Sequence, residues 1–578
     1  LLMCPLKIFQ TTWNHGYKIG IRPWLMLDML KKAANASAVA AYLILIVVPL
    51  WLALDRLIWV SGFDVGNWFN SLDENYVSQD VVAFTVKQAI LSTITTLSIG
   101  IPIAWQLGRY KWPLQSLIKS ILTMPFVMPS IVAAIGFLNL MDILDLRGNS
   151  DTWFTILIIA HAWFNLSLVI RFCEPVLSTL DPRLEEQIRL LPSGKTLMGR
   201  VRHFWGPIMA PSIIAAACMT FVFSFTSFAL VKLITLGENT IESMMASIGS
   251  SAGIEGYRIS TNEIILGGSI IQFSVLLTSL WLMSWLAQKR QSLLPKASEK
   301  VVKTHNPYGW VVVGPAILFS LSPLIAVILK SLRIQERKKD IAVEYWSFDG
   351  WRYAFKETSS LTSGWEALTN SLSYAFITLA IALPLGWLLA QTIRDLEKKS
   401  PTLARIVDVA TMLPFAVSSV MIGLGVTIGM IKINPQFFYD FWFTPVLAHV
   451  MITTPFVVRI ILPALRSIEP AYDECGMVLG MSPIKRLFYL KIPILSGSII
   501  IAATFTIAMS MGEFGASWVV TRNSEWTTLP IMIDSIRDPY NPVTNTASNA
   551  VAAVLMLISI ILFTWAEKFR PKRDGGMF

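Results

Sequence analysis

Two stretches of this chain repeat the same polar residues in the same order, and they are where its chemistry can be read. Glu474 is followed by Gly480 six positions on and by Pro493 thirteen positions after that. In the earlier stretch Gly194 and Pro207 keep the interval of thirteen, with Glu186 eight positions before the glycine. His161, Arg171, Pro175, Pro182 and Glu186 recur at one constant spacing as His449, Arg459, Pro463, Pro470 and Glu474. Gly194, Arg200, Pro207, Ser212, Ser224 and Phe228 recur, at a spacing shorter by two, as Gly480, Arg486, Pro493, Ser498, Ser510 and Phe514. A repeat of this length means a duplicated unit. The chemistry it offers is mechanical. A short helix from Pro470 to about Leu479 is expected to end at Gly480, which tolerates positive φ. A second helix then starts with Ser482 as its cap and Pro483 in its first turn.

Other chemistries find little support. No metal-ligand spacing, nucleophile with a base, or carboxylate dyad stands out, so no cofactor or metal is expected and the chain reads as a non-enzyme. Ser193-Gly194-Lys195-Thr196 looks like the end of a phosphate-binding loop, but Arg189 stands where the first glycine of that motif must be. Polar residues inside apolar runs are the remaining candidates for function. Glu513, with Ser227 as its counterpart, is expected near the outer end of a substrate pathway. His161 and His449 read as hydrogen-bonding links between helices, and Lys87 and Lys232 as side chains that snorkel to water.

The elements that must position these residues are membrane helices. Hydrophobic residues make up 54% of the chain and charged ones only 15%, where a soluble domain carries about a quarter. Twelve apolar runs fall at 36–54, 84–107, 117–141, 152–172, 208–234, 264–287, 308–329, 367–391, 405–431, 440–463, 494–520 and 545–566. Each is long enough to cross the hydrocarbon core, and the need to satisfy every backbone amide inside the run makes them helices. The net charge of +10 reflects membrane orientation and not nucleic-acid binding. Lys31, Lys32, Arg109, Lys111, Lys119, the lysines of the central loop and Lys568 to Arg573 all fall on one side, whereas loop 55–83 is acidic. By the positive-inside bias both termini, Gly194 and Gly480 are cytoplasmic, with Asp73 and Asp538 outside. Loop 330–366, with Arg333, Arg337, Lys338 and Lys339, is the exception. The four cysteines form no disulfide framework, and residues 1–35 are too polar for a cleavable signal. The expected division is a cytoplasmic tail 1–35, a first unit 36–287, a cytoplasmic linker 288–307, a second unit 308–566 and a cytoplasmic tail 567–578.

The stretch Asp473 to Pro493 closely resembles the cytoplasmic coupling loop of the permeases of ATP-binding-cassette (ABC) importers, where Glu-Ala-Ala, Gly and Leu-Pro keep this spacing. Here Cys475-Gly476 stands for the alanine pair and Ile492-Pro493 for Leu-Pro. The first copy departs from the pattern in its longer Glu-to-Gly interval and in Gln187-Ile188, so a change at Gly194 is expected to matter less than one at Gly480. The resemblance implies an all-α membrane protein of about twelve helices, arranged as two homologous six-helix permease units. It implies that Glu186, Gly194, Pro207, Glu474, Gly480 and Pro493 form two loops that dock a cytoplasmic ABC ATPase, in two copies. It also implies a periplasmic substrate-binding protein as partner, the lipid bilayer of the bacterial inner membrane as location, and no nucleic acid.

Two units in one chain look most like the iron(III) and thiamine permeases, with a short similarity over Thr226 to Gly237. The acidic outer loop and Glu513 favour a cationic nutrient, thiamine ahead of iron(III). The competing class is an ion-coupled secondary transporter of 6+6 design, which would need an ionisable coupling residue at mid-membrane. An ABC exporter would carry its own nucleotide-binding domain or long cytoplasmic helices, and neither is visible.

Overall fold

The computed structural model describes residues 23–74, 81–146, 150–180, 182–235, 237–250, 259–293, 306–338, 341–356, 362–521, 524–538 and 540–569. The tail 1–22, residues 294–305 of the expected linker, the tail beyond 569 and the side chain of Asp73 lie outside the described residues. The helices that build the bundle are α1 (Pro23–Ser61), α2 (Val81–Arg109), α3 (Ser130–Ile143), α4 (Ser150–Thr179), α5 (Gly206–Phe225), α6 (Ala229–Ile234) and α7 (Ile259–Leu293). They are followed by α8 (Trp310–Ser331), α9 (Gly364–Glu397), α10 (Ser419–Ile433), α11 (Thr444–Arg466), α12 (Ser496–Gly512), α13 (Gly515–Val520) and α14 (Pro542–Lys568). The fold is an all-α membrane bundle, and each of the twelve apolar runs falls largely on helix. Among the described residues nine helices are long and apolar enough to span, or eleven if each sharply bent pair is one span. The count departs from twelve because some runs are broken.

The breaks have local causes. In the third run, Gln115–Val127 meets α3 at 102°. Met128 is held extended (φ −69°, ψ 138°) by the proline after it, because Pro129 disfavours helical backbone in the preceding residue. The equivalent break in the second half has no second proline. Val417 is extended there, and Ser418 caps α10 by accepting the Met421 amide at 3.2 Å. The fifth run starts with a π-turn in both halves, Val201–Trp205 and Leu487–Lys491, just before Pro207 and Pro493. A widened turn is a common adjustment in such places. In the second half Ile484–Ile494 then bends by 78° into α12.

The first helix of each half packs on the other half. α1 lies against α10 and α9, and α8 lies against α3 and α2. Both crossings place a proline turn against glycine. A Cβ on Gly429 would meet Pro49 O at 3.0 Å, and one on Gly136 would meet Pro323 O at 2.8 Å. Gly425 and Gly423 likewise lie close to Leu50 and to the Ala516 backbone, as expected for small residues at membrane helix contacts. Hydrogen bonds pin both crossings: Tyr42 Oη donates to Thr411 O at 3.0 Å, and Trp163 Nε1 donates to Ser320 O at 3.1 Å. The basic exception in loop 330–366 is an antiparallel hairpin of β1 (Arg333–Lys338) and β2 (Ile341–Trp346). There Arg333 pairs with Glu344 at 3.0 Å.

Both repeated loops lie at one end of the bundle. Trp112, just beyond α2, sits edge-on to Trp310 at the start of α8, with centroids 5.1 Å apart. The far end of α8 leads into the hairpin, whose Arg333 carbonyl accepts from Thr546 near the start of α14 at 3.5 Å. α14 ends at the first-mentioned side, where Phe569 O is 3.0 Å from the site of a Cβ on Gly497.

These crossings are tested by steric load. Gly136→Leu should lower the melting temperature of the purified protein by several degrees, since overpacking costs about 1–3 kcal/mol. Gly314→Leu, where a Cβ meets nothing within 4 Å, should not. Equal melting of the two variants would contradict the tight crossing.

Candidate functional site

The second loop has the predicted form. Its first helix is Pro470–Val478, and Gly480 adopts φ +69°. The Gly480 amide donates to Met477 O at 3.0 Å and the Met481 amide to Gly476 O at 2.9 Å, the pair of bonds that closes a helix over a left-handed glycine. Ser482 Oγ accepts from the Lys485 amide at 3.3 Å and starts the helix Pro483–Arg486. Two residues hold the helices together, and neither is Glu474. Asp473 lies 3.2 Å from Lys491 Nζ and 3.8 Å from Arg486. Gly476 admits the Arg486 and Leu490 side chains, which a Cβ would meet at 2.9 Å. Glu474 itself is exposed and lines a cavity of about 220 Å³ with Arg394, Lys398 and Lys491. Around it the loop shows apolar groups to solvent, Val478 at 89% and Leu479 at 73% exposure.

The first loop reaches a similar shape by another route. Its helix is Pro182–Leu190, and Gly194 closes a 3₁₀ turn, Pro192–Gly194, with negative φ. Thr196 takes the capping role of Ser482, accepting the Gly199 amide at 3.0 Å. Gly194 is buried, and a Cβ there would fall 1.9 Å from Ile188 O. This corrects the expectation that Gly194 is the more replaceable glycine: Gly480 is needed for its backbone angle, Gly194 for a close approach of chain to chain. The acid that organises this loop is Glu185, and not Glu186, which is exposed. Glu185 lies 2.7 Å from Arg109, 3.0 Å from Arg189 and 4.0 Å from Arg200. Glu185 and Asp473 occupy equivalent positions of the repeat, so the acid doublets Glu185-Glu186 and Asp473-Glu474 were the signal that a reading fixed on one glutamate passed over. Each loop is also clamped to the preceding hairpin of helices. Arg109 Nη1 donates to Leu180 O at 2.9 Å, and Arg394 Nη2 donates to Ile468 O at 3.2 Å.

Further along the fifth run of each half, Ser227 and Glu513 sit in equivalent breaks, between α5 and α6 and between α12 and α13. Glu513 Oε1 accepts the Ala516 amide at 2.7 Å, so the acid is a helix cap. Phe228 and Phe514, the next residues, stack on one another at 5.3 Å and join the two breaks. Glu242, buried on the helix Ile241–Ser250, accepts from Gln272 Nε2 at 2.5 Å and from the Val420 amide of α10 at 3.3 Å. Lys232, expected to snorkel, does not. Its ammonium pairs with Asp534 of the other half and lies 4.2 Å from the Trp518 ring centroid. No sequence signal tied Lys232, Trp518 and Asp534 together.

The repeated histidines are helix links, as expected. His161 Nδ1 lies 3.1 Å from Ser92 Oγ, and His449 lies 2.8 Å from both Ser510 Oγ and Ser517 Oγ. Among the described residues no group of three or more His, Cys, Asp or Glu is placed to hold a metal ion.

Residues 382–575 match the model of the binding-protein-dependent transport system inner membrane component. A protein named as a 2-aminoethylphosphonate transport permease in Salmonella paratyphi A is 29% identical over 37% of this chain and 77% of its own. The thiamine transport system permease protein of Escherichia coli is 24% identical over 88% of this chain and 93% of its own. That of Haemophilus influenzae is 22% identical over 88% and 91%. The ion-coupled alternative is not favoured by these similarities. With two repeated helix–turn–helix loops at one end of a spanning helical bundle, the chain is a membrane permease similar over most of its length to the thiamine permeases, and its second unit matches the inner-membrane component of binding-protein-dependent transport systems, which work with a separate ATPase subunit and a substrate-binding protein.

Proposed function

We propose that this permease imports thiamine, and that its two loops are the sites through which two copies of the ATPase drive it. The observation that carries the substrate is coverage. The thiamine permeases align over 88% of this chain and over 91–93% of their own, so the likeness includes both units in one polypeptide. The phosphonate relative aligns with 37% of the chain. The residues of the coupling proposal are Glu186, Gly194 and Pro207 in one loop and Glu474, Gly480 and Pro493 in the other, on units 36–287 and 308–566. Each loop presents exposed apolar residues, Leu197 and Met198 in the first and Val478 and Leu479 in the second, beside exposed Glu186 and Glu474. An apolar anchor with a polar rim suits docking to a protein groove. Arg109 and Arg394 tie the loops to α2 and α9, giving the motion a stiff path into the membrane. The basic loops support a cytoplasmic position for this end and for both termini. Ser227 and Glu513 flank the pathway as the hinge of the fifth helix in each half.

Three outcomes are expected. In proteoliposomes with the ATPase and binding protein, labelled thiamine should accumulate on ATP addition, and 2-aminoethylphosphonate and iron(III) should not; accumulation of either control instead of thiamine would overturn the substrate. Gly480→Val and Gly194→Val should both cut uptake at least tenfold with normal membrane abundance. A β-branched residue in the left-handed region costs about 1–2 kcal/mol, and at Gly194 the Ile188 carbonyl leaves no room. Wild-type uptake by Gly480→Val would remove the coupling role. Finally, exposed Cys475 should resist a membrane-impermeant maleimide in intact cells, and Tyr540→Cys, at a position 96% exposed, should react. The reverse pattern would invert the orientation.

A further inference from the structure

The least expected group in the molecule is the Lys232 ammonium. It lies inside a cage of aromatic rings at the junction of the two halves. Its distances to the ring centroids are 4.2 Å for Trp518, 5.3 Å for Phe514 and 5.9 Å for Phe228. Asp534 completes the shell, bound by Lys232 and by Trp518 Nε1, which donates to Oδ2 at 3.1 Å. The side chains of Lys232 and Asp534 keep only 25% and 19% of their exposure. A lysine free to choose would carry its ammonium to water on its flexible stem. Here the electron-rich ring faces and a carboxylate replace that water. A cation over an aromatic face is attracted by the negative charge of the ring face, and such cages recognise quaternary ammonium ions.

The position of the cage matters as much as its chemistry. Phe228 and Phe514 are equivalent residues of the repeat, stacked at 5.3 Å, and each follows a break in the fifth helix of its half. The cage therefore forms only when the two halves meet. Beside it lies a cavity of about 150 Å³, lined by Phe228, Lys232, Glu238, Asn239, Ser243 and Trp518. Ligand pockets usually begin at about 300 Å³, so in this arrangement there is no room for a bicyclic cation until Lys232 swings out. When it does, the cage, Asp534 and the cavity become one continuous site with aromatic faces, two carboxylates counting Glu238, and an amide.

The geometry points to the Phe228–Phe514–Trp518 cage with Asp534 as a binding site for an aromatic organic cation on its way through the membrane, with Lys232 as its internal occupant. The proposal rests on the thiamine reading for the identity of the passenger, since that molecule carries a quaternary aromatic nitrogen, but not for the existence of the site. Lys232 fills the cage when no substrate is present and keeps an unpaired carboxylate from being left at the interface. An arriving cation displaces it, and the Lys232–Asp534 bridge between the halves opens as the site fills.

The experiment is equilibrium binding to the full chain in nanodiscs, without ATPase or binding protein, with two labelled probes: thiamine and benzyltrimethylammonium. Lys232→Met removes the competitor and keeps the stem, and should bind both probes at least tenfold tighter than wild type. Adding Asp534→Asn or Trp518→Ala to that variant should remove the gain, and Lys232→Arg should bind no better than wild type. If Lys232→Met does not fold, Lys232→Gln replaces it with the same expectation. Tight binding of benzyltrimethylammonium without thiamine supports the site and sinks thiamine as passenger. Unchanged or weaker binding of both probes by folded Lys232→Met or Lys232→Gln overturns the site, whatever the uptake assay gives. So does a gain that survives Asp534→Asn and Trp518→Ala, because the bridge would then be a structural tie and nothing more.

Discussion

A helix interrupted inside a bilayer leaves amides and carbonyls with no water to turn to, and each such group costs several kcal/mol unless protein satisfies it. The interruptions in this molecule are bonded accordingly. Where α5 stops, the Ser224 carbonyl accepts from Gln88 Nε2 at 2.8 Å. Where α12 stops, Glu513 closes on the Ala516 amide, and His449 reaches Ser510 and Ser517 on both sides of the gap. At the start of α10, Ser418 takes one free amide and Glu242, from the other half, takes another. In α8 the Phe319 carbonyl, whose helical partner would be the missing amide of Pro323, accepts from Ser322 Oγ at 3.2 Å.

This constraint also explains why polar intramembrane residues are poor guides to substrate. Glu513 drew attention as an acid in an apolar run, yet its oxygen is committed to a helix start. His449 bridges the same break, and His161 ties α4 to α2 through Ser92. Lys232 and Asp534 differ from them, because their shell is made of ring faces and of each other, and neither caps a broken helix. A pair whose partners are each other, ring faces and one indole N–H can be exchanged for another cation without unravelling backbone. That difference separates groups that hold the fold from groups free to act in transport.

The exchange of first helices gives the two halves their relation. α1 and α8 lie on the opposite half, and glycine at Gly429 and Gly136 lets a proline turn come close. The fifth helices meet elsewhere, through their stacked phenylalanines Phe228 and Phe514. The loops at one end are stapled by Asp473 and Glu185 to basic side chains of their own second helices.

Much of this was legible in the residues alone. Hydrophobic runs of spanning length must be helices, because a bilayer allows little else, and a repeat in order and spacing must be a duplicated unit. Gly480, Ser482 and Pro483 wrote out their turn because local backbone preference decides it. What local preference does not control was read less well. Glu474 was singled out where Asp473 is the staple, since the two are neighbours and only the direction of a helix face tells them apart. Gly194 passed for a weak copy of Gly480, since a spacing cannot show that the Ile188 carbonyl presses against it. The straightness of the third and fifth runs was overestimated, because hydropathy counts apolar residues and is blind to whether a proline turn is bridged. Lys232, Asp534 and Trp518 come from three separate elements of two halves, and no pattern within either half joins them. Sequence by itself determined the helices, the duplication and the turns, which depend on neighbours in the chain; only the tertiary structure decided which acid, which glycine and which lysine matter, because those depend on which way side chains face and how close backbone comes to backbone, within one loop for Asp473 and Gly194 and across the two halves for Lys232.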